Sequence, residues 1–392
     1  MRTAPTSHVK ERESAEMSAK VLPSDIGSAG AIDRGRRDKW LRRRGSKERG
    51  FWYVDHRGNR LADDVHTERI RALVIPPAWR EVRICPNAGG RLQAVGLDKN
   101  GRIQYLYHPN FAARRQQEKY AKIERFGERL PGIRAATNEH LELDSFPRER
   151  VLALMIRLID DLHFRLGAER SVKTYRTYGI TTLRNRHLTI KPGGALEFNF
   201  VAKHHIRQRK VVVDRELSEL MAELKRLGGS RLFHYVDEEG RLKPVLPRDV
   251  NEYVKSYLGP EFSSKDFRTW AGTLHAAVVL AEIGPAESER EAKRNLVQAV
   301  KRVAEKLGNT PSVCRSCYIH PVVFERYESG ITLESFRPRA ERHIRRRMPD
   351  YEPEELSLLA LFRARTAPTE SEAAALVDEA CEAVMEDTLA AA

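Results

Sequence analysis

The spacing of apolar residues changes once along this chain, close to Pro109, and this change constrains the fold more than any other feature. Before it, apolar and polar residues alternate in short runs with the two-residue period of strands, as in Leu92–Leu97 and Arg102–Tyr107. Asn100-Gly101 between these runs favours a hairpin turn. After Pro109, apolar residues recur every three or four positions, as on one face of a helix. The pattern predicts an α+β protein.

Three segments follow from this pattern. Residues 1–45 contain one tryptophan and no other aromatic residue, so they offer little to bury and are predicted to form a basic, disordered tail. Residues 46–118 are predicted to form a β-rich domain, and residues 119–392 a mostly helical domain with a C-terminal helical extension. Four strand-like runs predict a small sheet inserted among these helices: 180–183, 187–190, 195–201 and 210–213.

The chain is strongly basic, with 69 Lys and Arg against 55 Asp and Glu and a net charge of +14. This excess indicates a polyanionic partner. Nucleic acid fits better than a membrane, because no stretch approaches the ~20 apolar residues of a spanning helix. The N-terminus lacks the apolar core of a secretory signal, so the four cysteines are expected to be reduced thiols. We therefore expect a cytoplasmic, nucleoid-associated protein.

Five sites scattered between Arg165 and Tyr318 would suit one phosphoryl-transfer centre. Cleavage of a phosphodiester needs a nucleophile, cations that hold the nonbridging oxygens and an acid for the leaving oxygen. No carboxylate cluster of the two-metal kind stands out. Cys314, Cys317 and His320 have ligand-like spacing but lack a fourth ligand nearby. The sequence therefore predicts neither a metal site nor a cofactor.

Five segments, taken in order, resemble the signature blocks of the poxvirus-like and bacterial type IB DNA topoisomerases: Phe164–Gly167, Thr177–His187, Phe198–Lys203, Lys265–Trp270 and Leu307–Tyr318. The resemblance covers about residues 48–330, and the joint occurrence of the blocks is specific although each is short. It implies two lobes that form a clamp around double-stranded DNA. It also implies an enzyme that relaxes supercoiled DNA by transient single-strand cleavage and religation, without ATP or metal.

The resemblance assigns a role to each catalytic candidate. Tyr318 would attack the scissile phosphate and form a 3′-phosphotyrosyl link. Arg165 and Arg268 would hold the nonbridging oxygens, since a planar guanidinium offers paired donors that match phosphate. Lys203 would protonate the departing 5′ oxygen. Asn309 stands where many relatives carry histidine; its amide can donate a hydrogen bond to a phosphate oxygen but cannot act as an imidazolium.

Four further residues are candidate DNA contacts. Lys265, three residues before one of the proposed arginine clamps, would lie beside it on a helix and add positive potential. Residues 101–107 resemble the hairpin that these enzymes press against the DNA groove. Gln104 could pair with an adenine edge, whereas Tyr105 and Tyr107, on the opposite face, could contact phosphates or thymine methyl groups. Packing within the hairpin is an equally open interpretation for these three residues.

Two other functions remain open. A tyrosine recombinase would share the Arg, Lys, Arg, Tyr set, but such enzymes typically show His-x-x-Arg where this chain has Lys265-x-x-Arg268. They also usually pair the catalytic domain with a helical DNA clamp. A catalytically degenerate, basic DNA-binding protein would require the set to be accidental. A monomer is predicted, because all five catalytic candidates lie in one domain and no coiled-coil seam is evident.

Overall fold

The computed structural model describes residues 39–62, 64–347 and 351–391. The chain divides into two compact units, Met1–Lys119 and Tyr120–Ala392. The α+β class predicted from the sequence is confirmed, because strands dominate the described part of the first unit and helices dominate the second. Most of the tail predicted over residues 1–45 lies outside the described residues.

The first unit contains a five-stranded antiparallel sheet in the order β2-β1-β3-β4-β5. From Leu41 to Tyr107 the described elements are, in chain order, β1 (Leu41–Ser46), β2 (Gly50–Val54), α1 (Asp64–Ala72), β3 (Arg80–Ile84), β4 (Leu92–Leu97) and β5 (Ile103–Tyr107). Neighbouring strand residues enter different apolar clusters: Ala94 packs with Ile70 of α1, whereas Val95 packs with Tyr105. Alternation thus places apolar side chains on both faces of the sheet.

The boundary predicted at residue 45 is wrong, because ordered structure begins earlier. Trp40 and Leu41 are buried, and β1 starts at Leu41. Arg43 falls within the predicted basic tail, but its guanidinium donates to the carbonyl oxygens of Ile75 at 3.2 Å and Trp79 at 2.6 Å. An arginine that satisfies backbone carbonyls belongs to the domain rather than to a tail.

The β4–β5 hairpin is confirmed, although its loop is longer than the tight turn that Asn-Gly suggests. Leu97 pairs with Ile103, which leaves five loop residues between them. Of the Asn-Gly pair, Gly101 has a positive φ of 72°. The carboxylate of Asp98 accepts hydrogen bonds from the backbone of Asn100 at 2.8 Å and of Arg102 at 2.9 Å. Asp98 therefore stabilises the loop by holding its amides.

The second unit is mostly helical. Its longest helix, α2 (Pro109–Leu141), begins in the first unit. The others are α3 (Arg148–Leu162), α4 (Glu169–Tyr175), α5 (Arg215–Arg226), α6 (Pro247–Leu258), α7 (Ser264–Ile283), α8 (Glu289–Leu307), α9 (Pro311–Cys317), α10 (Pro321–Glu328), α11 (Arg337–Arg347), α12 (Pro353–Arg363) and α13 (Glu370–Ala391). The middle of α3, from Val151 to Ile159, is buried apart from Arg157, and α7 packs against α3, α8 and α12.

Two small antiparallel sheets complete the second unit. One has the order β6-β7-β8, and the other pairs β9 with β10: β6 (Leu188–Lys191), β7 (Ala195–Val201), β8 (Arg207–Val213), β9 (His234–Val236) and β10 (Leu242–Pro244). The strand predicted at 180–183 is wrong, because Ile180–Thr182 forms a 3₁₀ turn. Its amides donate to the Arg165 and Leu166 carbonyl oxygens, at 2.8 and 2.9 Å, instead of to a sheet partner.

The C-terminal helices share the core of the second unit. Glu355 of α12 is 2% exposed and accepts two hydrogen bonds from Arg134 of α2, at 2.7 and 2.9 Å. It also accepts one from the indole of Trp270 on α7, at 3.0 Å. Gly127 of α2 makes room for that indole, because a Cβ at this position would lie 2.3 Å from a ring carbon. One buried carboxylate thus joins three helices.

Candidate active site

Arg165 is held by a short segment that follows α3. His163 ends the helix in a left-handed conformation, with φ 56°, and turns the chain away. Gly167 and Gly179 then bring two segments into contact: a Cβ on Gly179 would lie 2.5 Å from the Arg165 carbonyl oxygen. The Arg165 guanidinium donates to the Gly308 carbonyl oxygen at 3.2 Å and to the side-chain oxygen of Asn309. These contacts fix both the backbone and the side chain of Arg165.

Arg268 lies in the second turn of α7 and is 3% exposed. The helix begins with a reciprocal cap in which the Asp266 carboxylate accepts from the Ser263 amide at 2.8 Å. The Arg268 guanidinium donates to the carbonyl oxygen of His163 and, at 2.9 Å, to that of Leu307. It therefore bridges the ends of two helices, α3 and α8, each of which leaves carbonyl groups unpaired.

Tyr318 follows α9, and its amide donates to the Cys314 carbonyl oxygen at 2.9 Å. The guanidinium carbon of Arg268 lies 5.1 Å from the centre of the Tyr318 ring, a cation–π distance. Gly272 of α7 allows this approach, because a Cβ there would lie 2.6 Å from the Tyr318 carbonyl oxygen. The fold therefore brings together Arg268 and Tyr318 from separate sequence blocks.

The charges around Tyr318 act on its acidity. Burial would raise the pKa of the phenol, but the positive charges of Arg268, Lys265 and Arg165 outweigh burial and lower the pKa below its usual value of 10.0. Burial and the positive charge of Arg268 lower the pKa of Arg165 to about 10. The interaction of Arg165 with Tyr318 acts in the opposite direction but is smaller. The three predicted residues Tyr318, Arg165 and Arg268 thus interact directly.

The site contains cations without matching anions. Within residues 39–62, 64–347 and 351–391, no carboxylate forms an ion pair with Arg165, Arg268 or Lys210. Burial, aided by the positive charges of Lys210, Lys306 and Arg268, lowers the pKa of His163 to about 3. An imidazole that stays neutral among fixed positive charges indicates a centre prepared to receive an anion.

Lys210 was missed as a site residue by the sequence analysis, which treated it only as the start of a strand. Burial and then the charges of Arg268, Arg165 and Lys306 lower its pKa to about 7. The signal was the alternation of β8, in which Gln208, Lys210 and Val212 are less exposed than their strand neighbours. Because lysine side chains are seldom buried, a lysine on the inner side of a half-buried strand is a candidate site residue.

Lys203 lies apart from this cluster. It is exposed and begins the 3₁₀ turn Lys203–His205 that connects β7 to β8. Its neighbour Ala202 lines the pocket beside Arg165 and Lys210, but Lys203 does not. His204 and His205 in the same turn have positive φ values of 65° and 58°. Such a conformation is strained for residues that carry a side chain.

Asn309 and Lys265 lie close to the predicted site. The Asn309 oxygen accepts from Arg165, while its amide nitrogen forms a weak contact with the Cys314 thiol and no hydrogen bond of ordinary geometry. Lys265 is exposed on the first turn of α7 and contributes positive potential at Tyr318. Both positions are consistent with contacts to a phosphate backbone.

The hairpin candidates belong to the first unit. The rings of Tyr105 and Tyr107 are buried and stacked with centroids 6.3 Å apart, and Tyr107 packs on Phe111 at 5.4 Å. Packing, one of the two interpretations left open by the sequence, therefore describes both rings in this structure, and the contact of these tyrosines with DNA stays a prediction. Gln104 is partly exposed, and its amide donates to Asp98 at 3.1 Å.

Cys314, Cys317 and His320, whose spacing resembles that of metal ligands, lie in a region where the side chains pack against one another. Cys314 is buried, and the His320 ring packs between Tyr120 at 4.6 Å and Phe362 at 4.8 Å. Across the described part of the chain, no group of three or more potential ligands could hold a metal ion. No described helix has the length and apolar character needed to cross a membrane.

Comparison with known proteins gives matches over both units. Residues 108–342 match the family model described as eukaryotic DNA topoisomerase I, catalytic core. Residues 50–98 match the model described as bacterial DNA topoisomerase IB, N-terminal domain. The first match covers more than half of the chain and includes all the proposed catalytic residues.

Individual relatives agree with these family models. The chain is 30% identical over 287 residues to DNA topoisomerase 1B of Acanthamoeba polyphaga mimivirus, covering 71% of this chain and 84% of the relative. It is 25% identical over 266 residues to DNA topoisomerase 1B of Vaccinia virus (strain Western Reserve), covering 67% and 78%. A match to DNA topoisomerase 1 of Mycosarcoma maydis is 24% identical over 191 residues, covering 44% and 18%. The chain belongs to the type IB DNA topoisomerases, a family of isomerases.

Proposed function

We propose that this chain relaxes supercoiled DNA by transient cleavage of one strand, with Tyr318 as the nucleophile and no requirement for ATP or metal. The observation that carries the proposal is the position of the Arg268 guanidinium 5.1 Å from the Tyr318 ring centre. This pair lies within a cluster of cations that no carboxylate of the described residues neutralises through an ion pair. A phosphodiester of the DNA backbone would supply the missing negative charge.

The two arginines would stabilise the transition state. Arg165 and Arg268 are held by carbonyl oxygens of Gly308, His163 and Leu307, so their positions exist before substrate arrives. Donors that are prearranged around a phosphate need no reorganisation when charge develops on its oxygens. Loss of one such group typically costs about 10²–10³ in rate.

Tyr318 is suited to nucleophilic attack because the surrounding charges lower its pKa. A lower pKa increases the fraction of phenolate at neutral pH. Attack on phosphorus would form the Tyr318–phosphate bond and break the bond to the 5′ oxygen of the DNA. The new ester conserves the bond energy, so the 5′ hydroxyl can attack it and restore the strand without ATP.

The departing 5′ oxygen needs a proton. By resemblance, Lys203 would supply it after the connection between β7 and β8 approaches the DNA. Asn309 would assist through its amide, which can donate to a phosphate oxygen. Lys265 and Gln104 would contact the duplex outside the reacting centre. We further propose that the enzyme acts as a monomer, because its catalytic candidates all lie in the second unit.

The test uses supercoiled plasmid in EDTA without nucleotide. We expect the full chain to relax it, and Tyr318→Phe to abolish relaxation while retaining DNA binding. Tyr175→Phe, which changes an exposed tyrosine, is the matched control and should remain active. Mass spectrometry of the denatured covalent adduct should locate the DNA on Tyr318. An adduct on another residue would contradict the assignment, and joining of two defined sites without relaxation would indicate a recombinase.

A further inference from the structure

We propose that the first unit carries a binding site for single-stranded DNA, at which the Trp52 indole stacks on an unpaired base and Arg44 binds the adjoining phosphate. The site lies at the β2 edge of the five-stranded sheet. It shares no residue with the proposed cleavage centre, whose candidates all lie in the second unit. The inference therefore stands independently of the role of Tyr318.

Trp52 is the exposed member of the four tryptophans of the chain. It is 39% exposed, whereas Trp40, Trp79 and Trp270 are 7, 8 and 2% exposed. A single exposed aromatic residue is common on protein surfaces and does not define a site by itself. At Trp52 the backbone beneath the ring and the charges beside it together indicate a ligand.

The absence of a side chain at Gly45 makes room for the Trp52 ring. In the register of β1 and β2, Arg44 pairs with Trp52, and Gly45 pairs with Phe51. A Cβ on Gly45 would lie 2.7 and 2.9 Å from two carbons of the six-membered ring. The indole therefore packs on the backbone of β1 and keeps more than a third of its residue surface open to solvent. Nucleobases stack on aromatic side chains presented in this way.

The β1–β2 hairpin is basic: residues 42–52 contain five Lys or Arg and one Glu. Arg42 and Arg43 donate to backbone carbonyl oxygens, but Arg44, Lys47 and Arg49 are exposed. No carboxylate in the described part of the chain forms an ion pair with these three residues. Three exposed cations without matching anions fit a run of phosphates along a nucleic-acid strand.

Strand pairing places Arg44 and Trp52 on the same face of the sheet. The two residues are directly opposite each other, and such pairs have their Cβ atoms about 5 Å apart. Tyr53, the next residue of β2, points to the other face, where it packs against the cluster that contains Ile70 of α1. A base stacked on the indole would thus have its phosphate beside the Arg44 guanidinium, which offers paired donors to phosphate oxygens.

A single strand fits this arrangement better than a duplex. In a duplex both faces of each base are covered by the neighbouring bases, so an indole on a protein surface meets only sugar and phosphate. An unpaired base offers a free face. Stacking on an aromatic ring beside basic residues is how proteins bind single strands without sequence preference. The site is therefore expected to accept any base.

The experiment compares binding of an oligothymidylate of about 12 nucleotides with binding of a duplex of the same length. Affinity is measured by fluorescence anisotropy of a labelled strand. The parent protein is the full chain with Tyr318→Phe, so that binding is measured without cleavage. Three variants of it are compared: Trp52→Leu removes the ring, Trp52→Phe keeps one, and Arg44→Gln removes the charge. Arg71→Gln, which removes an exposed arginine of α1, is the matched control.

We expect Trp52→Leu to weaken binding of the single strand about tenfold, the effect of losing one stacked base. Trp52→Phe should bind it within about threefold of the parent protein, because a ring remains. Arg44→Gln should weaken binding about threefold and reduce its dependence on salt, because one phosphate contact is lost. Arg71→Gln should bind the single strand normally, and Trp52→Leu should bind the duplex normally.

Indole fluorescence gives a second measurement. The oligothymidylate should quench the emission of the parent protein, and Trp52→Phe should abolish this quenching, because the other three tryptophans are buried. Emission that is unchanged by the oligothymidylate would overturn the inference.

The affinities can contradict the proposal in two ways. Undiminished binding of the single strand by Trp52→Leu would overturn it. An equal loss with single strand and duplex would overturn it in favour of contact with the duplex backbone. Melting curves identify a variant that fails to fold; if Trp52→Leu does so, Arg44→Gln and the quenching decide. None of these outcomes bears on cleavage, which plasmid relaxation tests separately.

Discussion

The guanidinium carbon of Arg268 lies 5.1 Å from the centre of the Tyr318 ring. This pair joins the second turn of α7 to the end of α9. The same arginine holds the carbonyl oxygens of His163 and Leu307, so its side chain has little freedom to move away. One residue therefore contacts the ring of the proposed nucleophile and lowers its pKa. In the proposed mechanism it would also donate to the phosphate that the nucleophile attacks.

Removing Arg268 should have the largest effect among the cations. We expect Arg268→Ala to slow single-turnover cleavage by about 10³-fold, because it removes a transition-state donor and raises the pKa of Tyr318 together. Arg268→Lys should recover part of the cleavage rate, because lysine keeps the positive charge but lacks the paired donors of the guanidinium. Adduct formation on a duplex substrate measures both variants, and urea unfolding separates catalytic from structural loss. A cleavage rate of Arg268→Ala within tenfold of the unmodified protein would contradict the proposed role of Arg268 in holding the phosphate oxygens.

Arg165 and Asn309 should act as a coupled pair, because the asparagine oxygen accepts from the arginine. We expect Arg165→Ala to slow cleavage by about 10²-fold and Asn309→Ala by about tenfold. In the double variant the two losses should not add, since the asparagine partly works by orienting the arginine. The measurement is a double-mutant cycle on cleavage rate. Fully additive losses would show that Asn309 acts independently of Arg165.

Lys265 should act through the acidity of Tyr318. Removing its charge in Lys265→Ala raises the pKa of the phenol toward its usual value, so less phenolate exists at neutral pH. We expect a roughly threefold loss of cleavage rate near pH 7, small because Lys265 is exposed and screened. The loss should vanish at high pH, where the phenol ionises in both proteins. A pH–rate profile tests this, with Lys301→Ala as control; a constant loss at every pH would refute it.

Lys210 should make stability depend on pH. Its pKa is about 7 in the folded protein against 10.5 ordinarily, so between these values the unfolded chain binds more protons and stability rises with pH. Replacement by methionine removes the buried charge. We expect Lys210→Met to exceed the unmodified protein in unfolding free energy by roughly 1–3 kcal/mol at pH 6–7, with the difference shrinking toward pH 10.

Urea unfolding at pH 6, 8 and 9.5 measures this difference. Subtracting the two proteins at each pH cancels the contributions of other titrating groups. A difference that stays the same at all three pH values would mean that the Lys210 ammonium is not disfavoured by folding.

The C-terminal helices should be needed for the catalytic core. Glu355 of α12 connects Arg134 to Trp270, which lies two residues after Arg268. We expect Glu355→Ala to lower the unfolding free energy by about 3 kcal/mol, because it leaves a buried arginine without one of its partners. Urea unfolding measures this, with Glu382→Ala on the exposed side of α13 as control. Equal stability of the two variants would show that α12 is dispensable for the core.

Local pattern was sufficient for most of the fold. Alternation identified β4, β5 and β7, and their bounds agree with the structure to within one residue. It failed at 180–183, where the amides of Ile180 and Thr181 bond to the segment of Arg165 instead of to a neighbouring strand. It also placed the end of the tail too late, because the arginines of β1 resemble a solvated run until their carbonyl partners are known. Both errors concern hydrogen bonds between residues far apart in sequence.

The sequence by itself determined the α+β class, the basic character and the candidates Tyr318, Arg165 and Arg268, because short blocks and periodicity are properties of neighbouring residues. Only the tertiary structure decided which side chains share a pocket. It placed Lys210 beside the two arginines, left Lys203 exposed and buried the rings of Tyr105 and Tyr107. The physical reason is that burial and the electric field at a side chain depend on groups brought together by folding, and a linear pattern does not contain those distances.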